Sequence, residues 1–251
     1  VLRGFCNYTP IRISTRYYHD RVAPHLIGYI GRIPADQQID YSVQNYPADA
    51  LVGISGVEFA FETELRGTIG VELYIESASG LRIRTIAERD PQSGNSLYLT
   101  IDRDLQLGLQ GLLADAYDNG QLTWAPTSRG ASVVVMDIHT GEIVAMASFP
   151  DFDPGIFSPN TSSFDASLQI QQYRDDPRNP LLNRATQGGY PLGSVFKIFS
   201  MVAGLDSGAW AAENTVVCTG QWNGTPYNDI VRDDWYTPGH GPLNMQGGLI
   251  N

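Results

Sequence analysis

A chain of 251 residues that is 42% hydrophobic and 17% charged is neither disordered nor membrane-spanning in composition, and is long enough for one large domain or two smaller ones. Its 27 acidic residues outnumber its 16 basic ones, giving a net charge of −11, and the arginines are scattered; no clustered basic surface is available for nucleic acid. One of those 16 basic residues is a lysine, Lys197. Drift from lysine to arginine explains the bias without explaining where the one lysine stands.

No uncharged apolar run approaches the roughly 20 residues a membrane helix needs, and no basic-then-apolar leader opens the chain. Residues 1–90 mix short β-like runs with turns. His25–Gly31 is one such run, and Val71–Glu76 alternates apolar and polar residues as a half-buried strand does. Arg89–Asn95 gathers turn formers and reads as a linker, so a β-rich domain is expected over 1–90 and a second domain over 96–251. Leu97–Ile101 is predicted as a short strand, with Asp102 capping the helix that follows. Leu105, Leu109, Leu112 and Ala116 fall on one face of that helix, and Gly120 ends it. Val133–Asp137 and Glu142–Met146 flank a glycine-containing turn and predict a hairpin. Residues 149–163 read as loop, 165–174 as helix, and the segment through Pro177 and Pro180 as loop again.

The strongest local signal comes next. Gly188–Gly193 is a turning loop rich in glycine and proline, and it runs into Ser194–Leu205, a helix with apolar residues on every side and therefore expected to be buried nearly all round. Ser194 stands at its start and Lys197 one turn on, where residues three apart share a face. A serine hydroxyl is a poor nucleophile until a neighbour takes its proton. Burial of the lysine would penalise its ammonium form and fit it for that task, while the helix N-terminus favours an alkoxide and can bind an oxyanion. Asp137 and Asp153, the other carboxylates near turns, are explained by turn geometry.

Two cysteines, Cys6 and Cys218, lie far apart without C-x-x-C spacing, so one disulfide or two free thiols both fit. His19, His25, His139 and His240 show no paired spacing, and neither a metal nor a cofactor is expected.

The stretch Asn183–Lys197 closely resembles the active-serine segment of class B penicillin-binding proteins, nearest to the elongation-type penicillin-binding protein 2 group, with S-x-x-K at Ser194–Lys197. Ala131–Pro154 is similar to that family's opening hairpin, and Leu99–Asp102 with Leu105-Gln106 to its entry into the transpeptidase domain. Gly53–Glu58 and Glu64–Gly70 resemble its non-catalytic pedestal, and His25–Gly31 fits the same domain. Cys218 and Gly239-His240-Gly241 fall at family-like positions. Leu192 stands where the family usually has proline.

The resemblance implies an α+β multidomain fold: a β-rich, dimerisation-type pedestal, then the N-terminal part of a serine β-lactamase-like transpeptidase domain. It implies a peptidoglycan D,D-transpeptidase in which Ser194 is the nucleophile and acyl-ester site and Lys197 the general base. The partners implied are stem peptides ending in D-Ala-D-Ala, β-lactam antibiotics, a polytopic membrane glycan polymerase and other elongation-complex proteins. The place implied is the extracytoplasmic face of the bacterial cytoplasmic membrane, held by an N-terminal anchor outside these residues. The family's S-x-N or S-x-D motif and its K-[ST]-G motif are also outside them, and a truncated, inactive fragment is expected. The rival readings are a catalytically inert pedestal that binds cell-wall synthesis partners, and a relative that senses or hydrolyses β-lactams.

Overall fold

The computed structural model describes residues 17–158, 164–224 and 230–250, together with the backbone of 5–11. Cys6 and the loop residues 159–163 therefore fall outside the described side chains. Contacts divide the chain after Gly188 into two compact units, 1–188 and 189–251. Among the described residues no helix is long and apolar enough to cross a membrane.

The first unit opens with strand β1 (Phe5–Ile11), a one-turn helix α1 (Pro24–Ile27), β2 (Ile30–Arg32), α2 (Gln38–Val43), β3 (Leu51–Gly53) and the short helices α3 (Gly56–Ala60) and α4 (Glu62–Leu65). Strands β4 (Gly70–Glu76) and β5 (Arg82–Arg89) complete it, with β1-β4-β5 forming an antiparallel sheet and β2-β3 a separate pair. The expected alternation of Val71–Glu76 is a strand, and its inward carboxylate is matched: Glu72 accepts two hydrogen bonds from Arg82 (2.6 and 2.8 Å) and one from Thr85 (2.9 Å) across the ladder. His25–Gly31 is not one β-run. Pro24 starts a helical turn, Gly28 ends it at φ 80°, and only Ile30 onward is strand. At Gly28 two backbones cross: a Cβ there would lie 1.9 Å from the Ser55 carbonyl oxygen, and one on Gly56 (φ 60°) would lie 2.4 Å from that of Leu26. Glycine alone fits both positions. A small core of Ile33, Ala50 and Val52 is covered by Tyr41, Tyr46 and Ile54.

Further along the same unit come α5 (Arg103–Asn119), β6 (Ala131–Met136), β7 (Ile143–Phe149), α6 (Phe164–Asp175) and α7 (Arg184–Gln187). Asp102 caps α5 as expected, accepting the Leu105 N–H at 2.8 Å, and Gly120 closes it. β6 and β7 form the expected hairpin; Asp137 Oδ1 accepts the N–H groups of His139 (2.7 Å) and Thr140 (3.1 Å), and Gly141 turns the chain at φ 78°. Asp153 likewise holds a turn, accepting from Gly155 N–H at 2.8 Å.

Two expectations are corrected here. Leu97–Ile101 is not a strand; near β7, Thr100 Oγ1 donates to Ile143 O (2.6 Å), and the following Asp102 N–H donates to Val144 O (2.9 Å). The face of α5 turned inward is not the leucine face. Gln106 and Tyr117 are buried, whereas Leu105 is 40% exposed and Leu112 65% exposed. The buried row is rotated by one residue because Gln106 completes the free edge of β7: its Oε1 accepts the Met146 N–H (2.8 Å) and its Nε2 donates to Met146 O (3.0 Å). A side-chain amide thus stands where a neighbouring strand's peptide would, and the helix turns to present it.

Residues of the N-terminal segment pack on this later part of the unit. Phe152, 1% exposed, is met edge-on by His25 (5.1 Å between ring centres) and Tyr29 (6.0 Å), and Tyr29 stacks on Phe157 (4.0 Å). Arg21 pairs with Asp151 at 2.7 Å, and Gln110 accepts the Ala23 N–H at 2.9 Å.

The second unit contains α8 (Phe196–Asp206), β8 (Val216–Cys218), β9 (Gln221–Asn223), β10 (Val231–Asp233), β11 (Gly241–Leu243) and α9 (Met245–Ile250), with β9 paired to β10 and β8 to β11.

Candidate active site

Gly193 (φ 55°) turns the chain into a single 3-10 turn over Gly193–Val195, and α8 continues from it. Ser194 therefore sits in the first turn of the helical segment, as its sequence position predicts, and it is exposed. The side chains of residues three apart stand on one face here. Lys197 is half-buried, and its Nζ donates to the Gly248 carbonyl of α9 at 3.3 Å rather than to the Ser194 hydroxyl. The charge of Lys197 is also one of the lesser causes that lower the Asp234 carboxyl pKa.

Burial of this helix is not observed. No residue of α8 is buried, and Phe196, Ile198, Phe199, Val202 and Leu205 are all exposed, Val202 by 60%. An all-round apolar helix needs neighbours on every side, and α9 with Trp210 gives it neighbours on one. Among the described residues, the apolar side chains of α8 are thus left uncovered on the remaining sides.

A second cluster lies in the same unit. The β8–β11 and β9–β10 pairs bring together Cys218, Asp234 and His240, whose ligand-type atoms all lie within 4.8 Å of one another. The free Cys218 Sγ donates to Asp234 Oδ2 at 3.3 Å, and His240 Nδ1 lies 3.6 Å from that same oxygen and 3.7 Å from the sulfur. The Tyr236 N–H, donating to Asp234 Oδ1 at 3.0 Å, is the foremost cause of a carboxyl pKa held below its usual value; the Cys218 thiol and the charges of His240 and Lys197 add to it. Thiolate, carboxylate and imidazole are donors that zinc accepts. Sequence reasoning, which looked for helical or C-x-x-C spacings, expected no metal; it noted Cys218 and His240 as family-like positions without joining them, and passed over Asp234. Gly220 (φ 83°) and Gly239 (φ 80°) let the two loops cross; a Cβ on Gly239 would lie 2.4 Å from Cys218 O.

A model of the penicillin-binding protein dimerisation domain matches residues 9–99, and one of the penicillin-binding protein transpeptidase domain matches residues 131–251. The chain belongs to the penicillin-binding proteins. Its α+β architecture is that of the family, a dimerisation domain followed by a transpeptidase domain. It is 35% identical over 93% of its length to peptidoglycan D,D-transpeptidase MrdA of Escherichia coli K12, covering 35% of that protein. The structure resembles a penicillin-binding protein 2 from Helicobacter pylori in complex with MreC, with a TM-score of 0.67 and 26% identity over 91% of this chain and 39% of that one. It also resembles a chain from a peptidoglycan synthase complex that coordinates polymerization and crosslinking, with a TM-score of 0.70 and 30% identity over 92% of this chain and 39% of that one. The chain spans about a third of the length of the curated relatives it matches.

Within this penicillin-binding protein, Ser194 and Lys197 both fall in the stretch matched by the transpeptidase model. Residues 18–30, inside the stretch matched by the dimerisation model, are held by residues 110 and 149–184. Sequence reasoning missed that packing, since buried rings 120 residues apart leave no local pattern.

Proposed function

We propose that this chain carries the nucleophile half of a peptidoglycan D,D-transpeptidase active site. The observation that carries the reading is Ser194, exposed in the first turn of an apolar helix with the sole lysine one turn on. In this reading Ser194 Oγ attacks the carbonyl of the penultimate D-alanine of a stem peptide while Lys197, as the neutral amine, takes its proton. The tetrahedral intermediate collapses, the peptide C–N bond breaks, and terminal D-alanine leaves with the returned proton. An amine of a neighbouring stem then attacks the serine ester, which forms the cross-link and frees Ser194. The Ser194 N–H, at the positive end of the helix, supports the oxyanion. A β-lactam acylates the same oxygen.

The 251 residues alone are read as a fragment without this activity. No S-x-N or S-x-D triplet follows Lys197, and a K-[ST]-G motif needs a second lysine that the sequence does not contain. The exposed faces of α8 and α5 are the surfaces that the rest of the transpeptidase domain would cover. By the same reading the dimerisation-type domain engages a glycan polymerase and other elongation partners at the extracytoplasmic membrane surface, as the two assemblies similar to this chain suggest.

The test is covalent labelling of the longer protein by a fluorescent penicillin. One adduct per chain is expected at Ser194 by peptide mass spectrometry, with none in Ser194→Ala or in Lys197→Arg, since arginine cannot deprotonate to act as base. An adduct on another residue would overturn the site. Stoichiometric labelling of residues 1–251 would overturn the fragment reading.

A further inference from the structure

Lys197 Nζ donates to the Gly248 carbonyl at 3.3 Å. A lysine ends in a compact amine on a long flexible stem, so whatever holds that amine decides where its lone pair can point. Here the holder is a neutral carbonyl. It accepts an N–H from the ammonium and from the free amine alike, whereas a carboxylate in its place would favour the charged form. A base that must give up a proton and still keep its place needs an acceptor of that kind.

A short run of contacts inside the second unit sets where this carbonyl stands. β11 pairs with β8, Leu243 opposite Val216, and Asn244 follows directly. Asn244 then caps α9. Its Oδ1 accepts the Gly247 N–H at 2.9 Å, three residues on, as an N-cap side chain does, and its main-chain carbonyl accepts the Gly248 N–H at 2.9 Å. Both bonds end on the pair of glycines from which the anchoring carbonyl projects. Two glycines in succession give a helical turn little stiffness of its own, and the cap supplies what they lack. The turn lies close to α8 at Gly204, where a Cβ would stand 3.5 Å from Trp210 Cβ and 3.9 Å from Met245 Cε. Asn244 itself is exposed, so truncating it opens no cavity.

We infer that Asn244 is a positioning residue for proton transfer, holding α9 so that the Gly248 carbonyl anchors the amine of Lys197. The inference rests on the reading of Lys197 as the general base toward Ser194. Loss of the cap loosens the anchor and with it the amine. That slows the chemical step and leaves the preceding encounter with the acyl donor as it was.

The experiment uses the longer protein and stopped-flow acylation by a fluorescent penicillin, which separates the acylation rate constant from the dissociation constant of the non-covalent complex. In Asn244→Ala the rate constant is expected to fall about 5- to 20-fold, with the dissociation constant within about twofold of wild type. Asn244→Ser restores a capping oxygen and should return the rate constant to within about twofold of wild type. Asp102→Ala, which removes the cap of α5 instead, should leave it unchanged. An unchanged rate constant in Asn244→Ala, a change confined to the dissociation constant, a loss that Asn244→Ser does not repair, or an equal loss in Asp102→Ala overturns the inference. Acylation of Lys197→Arg at the wild-type rate instead overturns the reading beneath it. Should Asn244→Ala fail to fold, Gly247→Ala decides. Its methyl would stand 3.4 Å from Asn244 Oδ1 and 3.1 Å from Leu243 Cδ2, crowding the cap from the other side. The rate constant should then fall at least about threefold at an unchanged dissociation constant, and an unchanged rate constant in that variant overturns the inference.

Discussion

Replacing Gln106 by leucine tests whether a side chain can stand in for a strand. Gln106 is fully buried and makes three hydrogen bonds: two to the Met146 peptide, at 2.8 and 3.0 Å, and one from Nε2 to Gln110 Oε1 at 3.1 Å. Gln106→Leu keeps the volume but turns methyl groups toward the Met146 N–H and C=O. Each buried polar group left without a partner costs about 1–3 kcal/mol, so the pair costs about 2–6 kcal/mol. The leucine recovers about 1–2 kcal/mol of apolar transfer, and Met146 is only half-buried. From the middle of each range, the net expectation is a loss of about 2–3 kcal/mol. Urea unfolding gives the stability change, and hydrogen exchange at the Met146 amide localises it. Gln106→Glu supplies the control: its carboxylate faces the Met146 carbonyl at neutral pH and regains a donor as acid protonates it, so its deficit should shrink on acidification. If Gln106→Leu leaves both the midpoint and the Met146 protection where they were, the amide is not completing the edge of β7.

Three further outcomes are expected. His25 is buried, and desolvation holds its pKa below the ordinary 6.5, against the opposing bond of Nε2 to Pro180 O at 2.7 Å. The unfolded chain then binds the proton more readily than the folded one, so this stability is fully present above the unfolded value and lost as pH falls through the lowered folded value. Urea midpoints should drop between about pH 7 and about pH 5, less steeply in His25→Gln, and a profile equally steep in both would remove His25 as the cause. Asp102→Ala should cost about 1 kcal/mol through loss of the α5 cap, with faster exchange of the Leu105 amide as its signature. Phe152→Ala should cost about 3–5 kcal/mol, because the ring is enclosed by four other rings; a loss under about 1 kcal/mol would show that the site collapses around the alanine.

How much of this was legible in the sequence depended on whether the cause was local. Asp102 and Gly120 mark α5 because a cap and a stop act within one turn, and Gly141 marks the hairpin because only a few residues share its left-handed geometry. The buried face of α5 was misjudged by one residue because glutamine reads as a surface residue, and only the unpaired edge of β7 gives it a reason to be inside. α8 was misjudged in the opposite sense: its apolar residues announce a buried helix, yet the described residues cover it on one side. The Ser194–Lys197 spacing was visible because helical neighbours are three residues apart. Cys218, Asp234 and His240 were not, because loop crossings at Gly220 and Gly239 bring them together with no repeat in the chain.

The crossing at Gly28 and Gly56 has a consequence for how this chain can drift. Where two side chains collide, one can shrink to make room for the other, and a lineage can pass through such exchanges. Here each glycine faces the other segment's backbone, 1.9 Å and 2.4 Å from a carbonyl oxygen in the two cases, and neither has an atom left to surrender. A substitution at one position has no partner substitution that repairs it. Mutational scanning should therefore find the two sites intolerant separately, with no compensating pair between them, and the crossing is a point where this fold has no neighbouring sequences to move through.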